Sequence, residues 1–214
     1  MKKVKFIILF ILFAELSFAT NFQVNPKPEL LKKEARNKFG LSVIYSEKGY
    51  GLSGGYYKSI GYTTDLFINL SIAGAADNRE FEYYDYYGNS YIEGKINRVF
   101  MIPLNIGFQH YIFKDDIVED FKPLVSIGIT PTLVLMNPYD KSYFKAMGYF
   151  HSAFAIGGFL GVGMEFLSSK NLSFSLNCRY FYLPVVSGNV MSIKDHTIDD
   201  LGGINLIFGV NFLK

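Results

Sequence analysis

Residues 149–166 read YFHSAFAIGGFLGVGMEF and alternate two kinds of side chain. One set is Phe150, Phe154, Ile156, Leu160, Val162, Met164 and Phe166, interrupted by the small Ser152 and Gly158. The other set is His151, Ala153, Ala155, Gly157, Phe159, Gly161, Gly163 and Glu165. A period of two sustained over this length is an extended strand with one apolar face. The opposite face is too small and too polar to be half of an ordinary core. An apolar face with no apolar partner inside the protein calls for an apolar solvent outside it. The stretch therefore predicts a strand of a membrane-spanning barrel.

The same period recurs along the chain. Eight strand candidates follow residue 39, at about 40–47, 50–59, 63–73, 96–113, 121–136, 149–167, 172–186 and 201–213. The third sets Leu66, Ile68, Leu70 and Ile72 against Asp65, Asn69 and Ser71. The eighth sets Ile204, Leu206, Phe208, Val210 and Phe212 against Asn205, Gly209 and Asn211. Connections alternate in length. With both termini on one side, the turns between strands two–three, four–five and six–seven are short. The opposite side carries longer segments at 74–95, 137–148 and 187–200, and only the connection between strands one and two is short there. An even strand number with short turns on one side and long loops on the other describes an all-β, eight-stranded antiparallel up-and-down transmembrane β-barrel. Pro103 and Pro131 fall inside strand candidates, and a missing N–H there predicts bulges or local irregularity.

Composition agrees with this reading. Phe and Tyr number 21 and 16 with no Trp, a content that suits strands and interfacial girdles. A net charge of +2 offers no footprint for nucleic acid. Cys178 is a lone cysteine, so no internal disulfide forms. At the N-terminus, Lys2, Lys3 and Lys5 precede the apolar run Phe6–Ala14, and Ser17-Phe18-Ala19 ends on a small residue. This is the pattern of a signal peptide cleaved after Ala19, because Glu15 ends the apolar run before spanning length. The expected organisation is a signal peptide at 1–19, a polar periplasmic leader at 20–38 with a short helix near Pro28–Arg36, and a barrel at 39–214.

The segments FKPLVSIG at 121–128 and GGFLGVGMEF at 157–166, with the signal peptide and strand pattern, resemble the small eight-stranded outer-membrane barrels of Gram-negative bacteria. That group includes OmpA-like, OmpX-like and OmpW-like proteins, and the resemblance covers about residues 39–214. It implies an outer-membrane location and passage past periplasmic chaperones to the insertion machinery. It also implies contact with outer-membrane lipids including lipopolysaccharide, and a monomer. Such barrels usually end on an aromatic residue read during insertion. Here the chain ends Phe212-Leu213-Lys214, so Phe212 is the candidate for that role.

Three places carry candidate chemistry. The first is the lumen face, with Asp65, Asn69, Asn105, Gln109, Glu165, Asn177, Arg179, Asn205 and Asn211. Eight strands enclose a space that side chains fill, so a plugged polar lumen is favoured over a narrow pore for small solutes. Arg179 belongs inside, since a lipid-facing Arg near the midplane costs about 2–4 kcal/mol. Glu165 or Asp65 is its expected partner. The second is the tyrosine-rich segment with Tyr83, Tyr84, Tyr86, Tyr87 and Tyr91, either a recognition surface or part of the outer girdle. The third is a lipid-modifying site using His151, Ser152 and Glu165. Adjacent strand residues point to opposite faces, so His151 and Ser152 cannot enter one site, and a non-enzyme is expected. His196 beside Asp195, Asp199 and Asp200 reads as a solvated acidic loop in preference to a cation site. No cofactor or metal is expected. A soluble lipocalin-like barrel with the faces reversed is the rival architecture, and the Gly, Ala and Ser of the second face argue against it.

Overall fold

The structure is a computed structural model and describes residues 36–113 and 121–214. The signal peptide and the leader helix lie outside the described residues. Eight long strands form the wall: β1 (Lys38–Ser46), β2 (Gly49–Ser59), β3 (Thr64–Ala75), β6 (Asn97–Tyr111), β7 (Phe121–Pro138), β8 (His151–Ser169), β9 (Leu172–Tyr182) and β11 (Gly203–Leu213). Each pairs antiparallel with its neighbour in the chain. The β1–β11 pairing closes the cylinder, with Lys38 opposite Leu213 and Ser46 opposite Asn205. Closure leaves no wall strand with an unpaired edge, which a chain in hydrocarbon requires.

Three smaller strands lie in the long connections at the end away from the described termini. β4 (Glu82–Tyr84) and β5 (Ser90–Ile92) form a separate hairpin between β3 and β6. β10 (Val185–Ser187) follows β9 and pairs with β8 at Ala155 and Phe154. A four-residue helix, α1 (Tyr143–Ala146), lies between β7 and β8.

The two faces of 149–166 separate as the alternation predicts. Phe154, Ile156, Leu160, Val162 and Phe166 are exposed on the outside, whereas Ala153, Ala155, Phe159 and Glu165 are buried within. The same holds around the wall, from Phe39, Leu41, Val43 and Tyr45 on β1 to Ile204, Leu206, Phe208 and Phe212 on β11. A belt of this extent in water would be an aggregation surface, and in a bilayer it is the solvent-matched surface. Near the termini, aromatic residues adjoin across strands: Phe39 pairs with Phe212, Phe166 with Phe174, and Phe121 with Phe166 at 5.2 Å between centroids. Tyr45 and Tyr50 meet at 5.3 Å at the other end of the wall. Such rings suit the two interfaces of a bilayer.

The prolines bring the expected local irregularity, but not as bulges. Pro103 lies opposite Thr132 and Pro131 opposite Ile156, and the register is the same on both sides of each. No bulge forms. Instead, pairing between β6 and β7 lapses over Leu104 and Asn105 and resumes at Ile106 opposite Ile129. The neighbouring ladder bonds hold the register, and the wall tolerates the lost N–H. Strand ends shift as well. The seventh candidate stops at Tyr182, where Leu183 and Pro184 turn the chain inward, and Lys38 joins the barrel as the first residue of β1.

Candidate functional site: the lumen and the outer loops

Inside the wall, side chains change character from one end to the other. Along β3 the inward residues run Asp65, Phe67, Asn69, Ser71, Ala73 and Ala75, all buried. The base, at the terminal end, is an ionic cluster. The ammonium of Lys38 lies 2.9 Å from Asp65 Oδ2 and 2.8 Å from Glu165 Oε2. Tyr111 and Ser173 each hydrogen bond to Glu165, Gln109 Nε2 donates to Asp65 at 3.0 Å, and Ser59 donates to Asp65 at 2.5 Å. Lys38 also sits 5.0 Å from the Tyr111 ring centroid. Two carboxylates share one ammonium.

This arrangement corrects the expected partner of Arg179. Both carboxylates turn to Lys38, a residue that the sequence reading assigns to the leader. Arg179 pairs across the sheet with Gly161, four residues along β8 from Glu165, or about 13 Å. Arg179 instead lies against rings, with its guanidinium carbon 4.8 Å from the Phe67 centroid and 5.2 Å from that of Phe159. Tyr57, Phe67, Phe159 and Phe181 form a ring series with successive centroids 5.5, 6.0 and 5.1 Å apart. This aromatic layer is not legible in the sequence, because each strand contributes only one of its members.

The small residues of the inner face make room for large ones on neighbouring strands. Gly161 lies opposite Arg179, Gly163 opposite Asn177, Gly55 opposite Asn69, and Gly128 opposite Phe159. A Cβ on Gly161 would stand 2.5 Å from Arg179 Cγ, and one on Gly128 would stand 2.6 Å from Phe159 Cζ. Pairing small with large across strands lets a narrow barrel hold bulky side chains.

The remaining predicted lumen residues lie on the inner face. Asn69, Asn105, Gln109, Asn177 and Asn211 are buried, and Asn205 lies beside a cavity of about 30 Å³. Gln109 joins the basal cluster, Asn69 donates to the Tyr57 hydroxyl at 3.1 Å, and Asn105 reaches Ser71 at 3.5 Å.

Towards the outer mouth the expected polar lumen gives way to an apolar plug. Ala73, Val99, Met101, Val134, Met136, Ala153 and Ala155 of the wall surround Leu183, Val190, Ile198 and Leu201 of the β9–β11 connection. The connection doubles back on itself, with Ile198 N donating to Val190 O and Leu201 N to Leu183 O. Asp200 Oδ1 accepts from the amides of Leu183 and Gly202 at 2.9 and 2.8 Å. A second loop clamps the plug from the side. Ile96 N donates to Ser192 O at 2.8 Å, Asn97 Nδ2 to Met191 O at 2.9 Å, and Lys194 N to Gly94 O at 2.8 Å. Glu80 binds both Lys95 and Ser192, and His196 Nδ1 meets Asp77 Oδ2 at 2.8 Å. His196 thus joins two loops and is not grouped with Asp199 and Asp200.

The tyrosines stand on the β4–β5 hairpin, separate from the barrel sheet. Tyr83 and Tyr91 face each other at 5.9 Å, while Tyr86 and Tyr87 at the tip are 98% and 85% exposed. Asp85 organises the tip by accepting from Asn89 Nδ2 and from the amides of Tyr87 and Asn89. The Asn89 side-chain bond leads in holding the Asp85 carboxyl below its ordinary pKa. His151 and Ser152 are both exposed at the start of β8, with Glu165 far along the same strand in the basal cluster.

A closed eight-stranded barrel with an apolar exterior and a filled interior has the fold of the small outer-membrane β-barrels. The N-terminal barrel domain of Pseudomonas aeruginosa OprF superposes with a TM-score of 0.51 at 10% identity, covering 85% of this chain and 98% of that one. A major outer membrane protein from Thermus thermophilus gives 0.50 at 13% identity, covering 83% and 99%. No family model and no curated protein matches the sequence.

Proposed function

We propose that this chain is an integral outer-membrane barrel whose working surface is its outer loops, the barrel serving as a rigid, sealed anchor. The observation that carries this reading is the plug. Leu183, Val190, Ile198 and Leu201 pack into the mouth against buried wall residues, and two connections are bonded together above it. An apolar plug of this kind opposes the passage of water and solutes, and the hairpin beside it displays Tyr83, Tyr84, Tyr86, Tyr87 and Tyr91. Tyrosine supplies contact area at low entropic cost, which suits recognition. On this reading the N-terminal segment is a cleaved export signal, the described termini face the periplasm, and the loops face the medium. Outer-membrane lipids, including lipopolysaccharide, surround the belt. Insertion machinery and periplasmic chaperones deliver the chain, and it works as a monomer.

Planar-bilayer recording of the purified, refolded protein tests the proposal. A silent bilayer containing protein shown to be inserted is the expected result. Discrete, reproducible conductance steps would refute the sealed barrel in favour of a narrow pore.

A further inference from the structure

The β4–β5 hairpin carries charge of one sign. Residues 81–94 hold Glu82, Asp85 and Glu93 and no Lys, Arg or His. Glu82 and Glu93 are exposed and form no ion pair among the described residues. Glu80, just before the hairpin, differs, since it is bound to Lys95 and Ser192 and closes the hairpin's base. The free carboxylates stand among exposed rings. Glu82 and Tyr84 share one face of β4, and Tyr83 meets Tyr91 on the other. Tyr86 and Tyr87 sit edge to face at the tip, 5.7 Å between centroids.

The tip is built to hold this arrangement in place. Asp85 N donates to Asn89 O at 2.9 Å and Gly88 N to Asp85 O at 3.0 Å. Gly88 takes a φ of +81°, which a glycine adopts without strain. The Asp85 carboxylate accepts three further bonds from Tyr87 and Asn89. A loop fixed before its partner arrives loses little freedom on binding. Rings alone would suit a sugar, a lipid or a protein. The carboxylates narrow the choice, because they repel phosphate, nucleic acid and acidic polysaccharide. A guanidinium satisfies both features at once, stacking on a tyrosine face while pairing with a carboxylate. Glu82 and Asp85 are three residues apart, about 10 Å along an extended chain. One cation does not cover that span, and a chain bearing several does.

We propose that the β4–β5 hairpin docks an arginine-bearing peptide segment of a protein outside the cell. The inference rests on the reading that the outer loops are the working surface, and it adds the chemistry of the partner. Tyr86 and Tyr87 receive guanidinium groups at the tip, and Glu82 and Glu93 supply the countercharge nearer the base.

The full-length protein in phosphatidylcholine nanodiscs tests this by fluorescence anisotropy. The probe is a labelled decapeptide alternating arginine and serine, compared with the same peptide carrying glutamine for arginine. The wild type should bind the arginine peptide at least about tenfold more tightly than the glutamine peptide. Tyr86→Ser with Tyr87→Ser, which keeps the charge, should weaken arginine-peptide binding about tenfold, as loss of two exposed cation–π contacts predicts. Glu82→Gln with Glu93→Gln, which keeps the rings, should weaken it and flatten its salt dependence. Equal binding of the two peptides by the wild type would overturn the proposal, and so would wild-type affinity in both double variants. Planar-bilayer recording of the same preparation separates the two readings. A silent bilayer with no preference for the arginine peptide overturns this inference alone. Conductance steps from protein that still prefers it refute the sealed anchor and support the cationic partner.

Discussion

Lys38 shows how much one side chain can decide in a narrow lumen. It lies at the first position of β1 and holds Asp65 from β3 and Glu165 from β8, thereby tying the start of the barrel wall to two distant strands. Lys38→Met removes the only cation bonded to these carboxylates among the described residues. Breaking a buried ion pair from one side costs about 3–5 kcal/mol. Urea unfolding of the protein in lipid vesicles should show a loss of that order. Adding Asp65→Asn and Glu165→Gln should recover most of it, since no uncompensated charge is then left inside. The inward direction of Asp65, Glu165 and Arg179 is legible from parity alone. Their pairing is not, because it depends on which residues of non-adjacent strands meet across the lumen. Lys38 shares its parity with Gly40, Ser42 and Ile44, and that continuity is the available signal that the first strand begins two residues early.

At the level of strands, the glycines and prolines of the wall test opposite tolerances. Pro103 and Pro131 each remove a donor, yet the register survives: β7 and β8 pair without a break across Pro131, and β6 and β7 resume in the same register after the lapse at Leu104 and Asn105. Gly128 has less latitude. Its ideal Cβ would lie 2.3 Å from the carbonyl oxygen of Ile106 and 2.6 Å from the Phe159 ring, and its cross-strand partner is Gly107. Backbone on one side and an aromatic ring on the other leave nothing flexible enough to give way. Gly128→Ala should therefore cost about 1–3 kcal/mol through overpacking, measured by the same unfolding assay. Gly54→Ala, with its nearest neighbour at 3.6 Å on Leu41, should lie within about 0.5 kcal/mol of wild type. The strand pattern tells where small residues line the inside. It does not tell which large residue each one accommodates, since that follows from strand register.

Across the barrel as a unit, the apolar belt and the outer loops divide the surface between two solvents. Cys178 is exposed on the outer face of β9, between Leu176 and Tyr180, whereas Tyr86 is the most exposed hydrophobic residue of the hairpin tip. In lipid vesicles, a charged, membrane-impermeant maleimide should leave Cys178 unmodified while labelling a Tyr86→Cys variant in a Cys178→Ser background. Modification of Cys178 at a rate similar to the loop cysteine would place the belt in water and revive the soluble-barrel architecture. The loops are the least legible part of the chain. The connection at 187–200 reads as a simple loop, because Val190, Ile198 and the adjoining Leu201 carry no periodic signature. They become a core only where Met101, Val134, Met136 and Ala153 converge around them.

The strands, their inward and outward faces, the eight-strand meander and the alternation of short and long connections all follow from the order of amino acids. They rest on local periodicity and on turn residues close in the chain. The Lys38 cluster, the isolation of Arg179 among rings, the cavity beside it and the plug above come only with the closed fold. These depend on contacts across a cylinder, where strands remote in sequence meet at a register that no local pattern records.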